Sequence, residues 1–286
     1  EFVNDILLRI SGDRRSAQVF YSPTTHENFS RTPDRVRGTA TTYISFQALA
    51  RKGRGRVPQT RVTYTSQADV AGLIETEEEF SLRMAKNLEE KIIKEDPETI
   101  AGFVAEPVQG SGGCIPPSKS YFDLVQPILK KYNIPFIADE VICGFGRTGN
   151  LWGCDTYNIK PDIIISSKCL TAGYFPMGAV IVNKEFSDKF VEVSEEAEEF
   201  PHGFTAGGHP VGCAIALKAI DVIMNEGLLD NVKLMEPYFF ERLNEFNDYE
   251  HIGETRGIGL MAALEMVKNK DTKEPFEGHL NMGDKV

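Results

Sequence analysis

Metal and disulfide chemistry are what this sequence is least equipped for. Its five cysteines (114, 143, 154, 169 and 213) are scattered without a C-x-x-C pair, and its five histidines are equally dispersed. Neither a structural metal site nor a disulfide framework is therefore expected. A reducing, cytosolic compartment is the matching expectation. No apolar run approaches the length of a membrane span, and the first residues carry no signal-peptide pattern. Positive charge is in short supply as well. Lys and Arg total 31 against 42 Asp and Glu, a net charge of −11. That balance argues against a phosphate-backbone partner, because nucleic-acid binding needs clustered cations. Internal repeats and low-complexity tracts are absent too.

What the chain does have is enough apolar material for a packed core: 41% of its 286 residues are hydrophobic and 26% charged. That length suits one large or two modest domains. The chain is not homogeneous. Residues 1–70 hold ten arginines, one lysine and six acidic residues, whereas the rest holds four arginines, sixteen lysines and 36 acidic residues. So sharp a switch of cation type marks residues 1–72 as a segment of different origin, either weakly structured or an ordered subdomain. Its "RKGRGRVPQT" and "SPTTHENFSRTPDR" stretches have loop and turn chemistry. Residues 73–230 then read as a large domain and 231–286 as a smaller C-terminal one.

From residue 75 the periodicity sharpens. Thr76 with Glu79 forms a capping-box pattern, and Phe80, Met84, Leu88 and Ile92 recur at helical spacing, predicting a helix over roughly 77–94. "IAGFVAEPV", "IPFIADE", "PDIIISSK" and "MGAVIV" are short buried-strand candidates. "SYFDLVQPILKKYN", "HPVGCAIALKAIDVIMNEG" and "LLDNVKLMEPYFFERLNEF" read as helices, the second stopped by Gly227. "TRGIGLMAALEMV" predicts one strand of a separate small unit. Apolar strands alternating with helices give an α/β class: a mostly parallel sheet with flanking helices, followed by a truncated small α+β domain.

Three of these strands end in charge: "AGFVAE" at Glu106, "PFIAD" at Asp139 and "DIIISSK" at Lys168, separated by 33 and 29 residues, about one βαβ step each. Ligands in open α/β sheets bind outside the carboxyl ends of the strands, so the three groups should share one crevice. A lysine at a strand end is commonly a plain surface residue. Here the upstream aspartate and the "CLTAGYFPMG" that follows favour a Schiff-base lysine. Pyridoxal phosphate needs this pair: a lysine for its aldehyde and a carboxylate for its ring nitrogen. The rival reading comes from Gly144, Gly146 and Gly149, which spell the G-x-G-x-x-G dinucleotide fingerprint. It fails on context. "NLWGCD" is no helix start, the preceding strand ends in "DE", and Lys168 lies where a ribose-binding acid belongs.

Together, "FVAEPVQGSGG", "FIADEVICGFGRTG", "SSKCLTAGYFPMGAV" and "HGFTAGGHPVGCA" resemble the class III (ω-amino acid type) aminotransferases, pyridoxal 5'-phosphate enzymes of fold type I. The likeness runs from about Glu75 to the end of the chain, with four motifs in the family's order. It implies that Lys168 carries the cofactor and later moves the substrate proton. It further implies that Asp139 pairs with the pyridinium nitrogen, that Val141 packs under the ring, and that Glu106 borders cofactor and substrate. Thr205 would reach the cofactor phosphate of a neighbouring subunit, which implies a homodimer. The amine donor would be an ω-amino acid or primary amine and the acceptor an α-keto acid such as pyruvate. Other reactions of the same fold type, a mutase or a decarboxylase, use the same Lys and Asp, and a catalytically impaired fragment is a further alternative. The family's "SGSEA" phosphate turn and "YHG" aromatic do not occur in residues 1–74. The family's carboxylate-binding arginine usually lies beyond Val286.

Overall fold

The structure, a computed structural model, describes the backbone of four strands in the first 75 residues and then residues 76–197, 202–277, 280 and 282–285. The four strands are β1 (Asp5–Ile10), β2 (Ser16–Ser22), β3 (Arg37–Ala48) and β4 (Thr60–Ala71), each antiparallel to the next. The rest of the Arg-rich segment lies outside the described residues, and with it most of the question of how that segment is organised.

Helix α1 (Glu77–Glu95) starts where the capping pattern puts it. The Thr76 hydroxyl accepts from the Glu79 amide, and the Glu79 carboxylate accepts from the Thr76 amide at 2.8 Å. Strand β5 (Ile100–Ala105), helix α2 (Tyr121–Lys131), strand β6 (Phe136–Asp139), the short helix α3 (Gly153–Thr156) and strand β7 (Ile163–Ser166) follow. Strands β5, β6 and β7 are mutually parallel. Strand β8 (Ala179–Val182) closes that side of the sheet antiparallel to β7, and β1 pairs antiparallel with β5 on the other. The order across the sheet is β4-β3-β2-β1-β5-β6-β7-β8.

The core forms where α1 and α2 pack together over β5 and β6. The apolar stripe of α1 (Phe80, Met84, Leu88, Ile92) is buried against Tyr121, Phe122, Val125 and Leu129 of α2. Phe136 stacks on Phe122 with centroids 5.9 Å apart and meets Phe103 edge-on at 5.2 Å. Fully burying each such side chain contributes about 1.5–3 kcal/mol, enough to fix the parallel strands beneath.

Helix α4 (Lys184–Ala197) was not foreseen from the sequence; α5 (Pro210–Asn225) and α6 (Leu228–Asn244) were. Gly227, φ 70°, sits between the last two in the left-handed region that glycine tolerates, so the expected stop is where it was placed. No helix among the described residues is long and apolar enough to cross a membrane. The expectation of a single strand over "TRGIGLMAALEMV" is corrected. The stretch is a hairpin, β9 (Ile252–Ile258) and β10 (Met261–Asn269), with β11 (Glu274–Pro275) alongside. The tight turn falls at Gly259, φ 59°, and is held from outside the hairpin. The Gly259 amide donates to the Glu236 carboxylate at 2.6 Å and the Leu260 amide to the Arg147 carbonyl at 3.0 Å.

Candidate active site

Strand register brings the predicted residues together. Ala105 is level with Ala138 on β6, and Asp139 is level with Ile165 on β7. Glu106, one step past Ala105, therefore stands beside Asp139 on strands about 4.8 Å apart. Lys168 lies three residues past that level, opening a 3-10 turn Lys168–Leu170. Both Asp139 and Lys168 act electrostatically on the Glu106 carboxyl, so the three share one neighbourhood.

Glu106 is partly buried, and burial is the largest influence on it, raising its pKa to about 7. The Gly110 amide opposes that shift by donating toward both carboxylate oxygens at 3.3 Å, Asp139 adds to it, and Lys168 reduces it. The causes are the expected ones: desolvation and a like charge favour the neutral acid, while a donor and a cation favour the anion. Asp139 is pinned differently, with its Oδ1 accepting from the Val141 amide at 3.0 Å. Val141 itself is half-buried on the first residue of the loop.

The neighbour of Asp139 was overlooked by sequence reasoning. Glu140 is 1% exposed. Its carboxylate accepts from the Gly153 amide at 2.9 Å and the Cys154 amide at 2.7 Å, at the start of α3. Its own amide donates to Ile165 on β7 at 2.8 Å, and its carbonyl accepts from Gly144 at 2.9 Å. Glu140 thus ties the strand carrying Asp139 to the strand leading to Lys168 and to the glycine loop. Burial pushes its carboxyl pKa up, against those amide donors.

The glycine loop is a series of turns between β6 and α3, not the opening of a long helix, which accords with declining the dinucleotide reading. Gly144 is there for space: a Cβ would lie 2.7 Å from the Glu140 carbonyl and 3.0 Å from the Trp152 ring.

Lys168 is exposed and its backbone has φ 35°, a left-handed conformation that costs a non-glycine residue free energy. Ahead of it, Ser167 donates to the Met177 carbonyl at 3.1 Å. Ser166 is 1% exposed with a hydroxyl that has no hydrogen-bond partner. Thr205 lies exposed in the turn before α5, and among the described residues no hydrogen bond or ion pair joins it to the other three.

An exposed amine, a carboxylate fixed by a backbone amide and a carboxyl poised near neutrality, all at strand ends, fit the aldehyde and ring-nitrogen ends of pyridoxal phosphate. Among the described residues no cluster of three His, Cys, Asp or Glu side chains could hold a metal ion.

Comparison with known proteins gives the family of the chain. The family model described as Aminotransferase class-III matches residues 46–283. Gamma aminobutyrate transaminase 3, chloroplastic, of Solanum lycopersicum is 52% identical over 209 residues, which is 73% of this chain and 40% of the relative. Gamma-aminobutyrate transaminase 1, mitochondrial, of Oryza sativa subsp. indica is 49% identical, again over 73% of this chain and 40% of the relative. Among solved structures, an omega-aminotransferase from Paracoccus denitrificans superposes with TM-score 0.71 at 60% identity, over 73% of this chain and 47% of that one. A PMP-bound aminotransferase from Vibrio fluvialis gives TM-score 0.71 at 62% identity, over 73% and 46%. The chain spans less than half the length of each of these relatives.

Proposed function

The chain belongs to the class-III aminotransferases, and on that premise we propose that it is a pyridoxal 5'-phosphate enzyme moving an amino group from an ω-amino acid or primary amine to an α-keto acid such as pyruvate. The observation that carries this reading is the register setting Glu106 beside Asp139, with Lys168 in the turn that follows the next strand, three residues beyond that level. The named substrate of the tomato and rice relatives, γ-aminobutyrate, is itself an ω-amino acid and supports the donor class.

Bound pyridoxal phosphate supplies an electron sink for the carbanion left when a substrate Cα–H bond breaks. The rest falls to side chains of this chain. The Lys168 amine would hold the cofactor aldehyde and would serve as the general base for the substrate Cα proton. The Asp139 carboxylate, oriented by the Val141 amide, accepts a hydrogen bond from the ring nitrogen and keeps it protonated. Val141 backs the ring, and Glu106 forms the wall on the substrate side. The reading includes a second copy of the chain, whose cofactor phosphate Thr205, an exposed residue, would meet. In that case sedimentation gives twice the chain mass.

The test is optical and kinetic. Purified chain supplied with the cofactor should turn yellow, change its visible band on adding amine, and recover it on adding pyruvate. Lys168→Ala should abolish the amine-dependent change and lower turnover by about 10²–10⁴-fold, the usual worth of a positioned proton-transfer group. A chain that takes up no cofactor sinks the reading.

A further inference from the structure

The turn that grips Glu106 is held from the other end of the chain. We propose that Arg256 is a positioning residue for Glu106, acting through the Gly110–Cys114 turn. Arg256 lies on β9, with its side chain 18% exposed. Its Nε donates to the Gly113 carbonyl at 2.8 Å, across 143 residues of sequence. Two carboxylates aim the guanidinium: Glu265 at 2.6 Å and Glu254 at 2.8 Å. The planar fork suits three acceptors at once, which a lysine ammonium on a flexible stem does not reproduce.

From Gly113 the connection is short. The Gly113 and Cys114 amides both donate to the Gly110 carbonyl, at 3.1 and 2.9 Å, closing the turn. The Gly110 amide is fastened too, because it points at both oxygens of Glu106. Gln109 and Ile115 exchange backbone hydrogen bonds of 3.1 and 2.9 Å across the base of the turn. There is little room for adjustment, since a Cβ on Gly112 would meet the buried Gln109 side chain at 2.7 Å. Shifting the guanidinium therefore shifts the Gly110 amide and withdraws that donor from Glu106.

The charged and titratable groups around Glu106 come from every side. Asp139 stands on β6 and Lys168 beyond β7, with the Cys114 thiol in the turn and the Cys143 thiol in the loop after β6. Of these, Asp139, Lys168 and Cys143 are not held by Arg256, so a change on altering Arg256 reports the turn. The role rests on Glu106 being a site residue, yet its test needs neither cofactor nor turnover.

The experiment is a carboxyl ¹³C NMR titration of the full chain labelled at glutamate, with the Glu106 signal assigned from Glu106→Gln. Because the Gly110 amide is the donor that favours the Glu106 anion, Arg256→Gln should raise its midpoint by about half a unit. Arg256→Lys, which keeps the cation but one point of attachment, should raise it by less. Glu265→Gln keeps the arginine and loosens its aim, and guards against an Arg256 variant that does not fold. It should move the midpoint in the same direction. An unchanged or lowered Glu106 midpoint in folded Arg256→Gln or Glu265→Gln protein overturns the proposal. If cofactor uptake fails while these shifts appear, the amino-transfer reading falls and the positioning role stands.

Discussion

Glu106 is a carboxyl that the fold holds partly out of water beside a second carboxylate, and the consequence for stability has a definite sign. Its native pKa of about 7 lies above the ordinary 4.5, so the folded chain holds this proton more tightly than the unfolded chain. The associated stabilisation is complete below pH 4.5 and is lost as pH rises through about 7. Full desolvation would make the loss about 3 kcal/mol, and partial exposure reduces it to roughly 1–2 kcal/mol. Denaturant melts across that window should therefore show wild-type stability falling by more than that of Glu106→Gln, whose side chain does not titrate. Parallel curves would contradict the burial. The charge itself is plain in the sequence at a strand end; its protonation is not, because that depends on Gly110, Asp139 and Lys168 arriving from other segments.

Elements whose signals are local were legible. Thr76 and Glu79 are three residues apart and form the capping box of α1, so Thr76→Ala should cost about 1 kcal/mol in a thermal melt, with turnover unchanged. The glycine loop is a packing problem. Gly144→Ala forces a methyl against the Glu140 carbonyl and should cost about 1–3 kcal/mol. That substitution also displaces the peptide next to Asp139, so cofactor affinity should weaken with it. The hairpin of β9 and β10 was not legible, because its turn is stabilised by Glu236 and by the Arg147 carbonyl, both distant in sequence. Glu140 was passed over for the same reason: its acceptor duties are set by amides 13 and 14 residues away. Arg256 had one available signal, as one of only four arginines after residue 70. A guanidinium retained where lysine predominates suggests a forked contact.

For the whole molecule, the site couples to folding by mass action. A cofactor held by the native chain and not by the unfolded one stabilises it by about 2.7 kcal/mol at a hundred times its dissociation constant. Added pyridoxal phosphate should accordingly raise Tm, and raise it less in Lys168→Ala and Asp139→Asn; equal shifts in all three would place the cofactor elsewhere. The backbone pulls the other way. Lys168 at φ 35° and Ala172 at φ 49° put two side-chain-bearing residues of one short loop in conformations that glycine adopts more readily. A Lys168→Gly chain would shed strain of about 1 kcal/mol together with its chemistry. Directed evolution for heat resistance alone would therefore drift toward discarding the reactive amine. A library built on this scaffold needs a screen for the proposed amino transfer in every round.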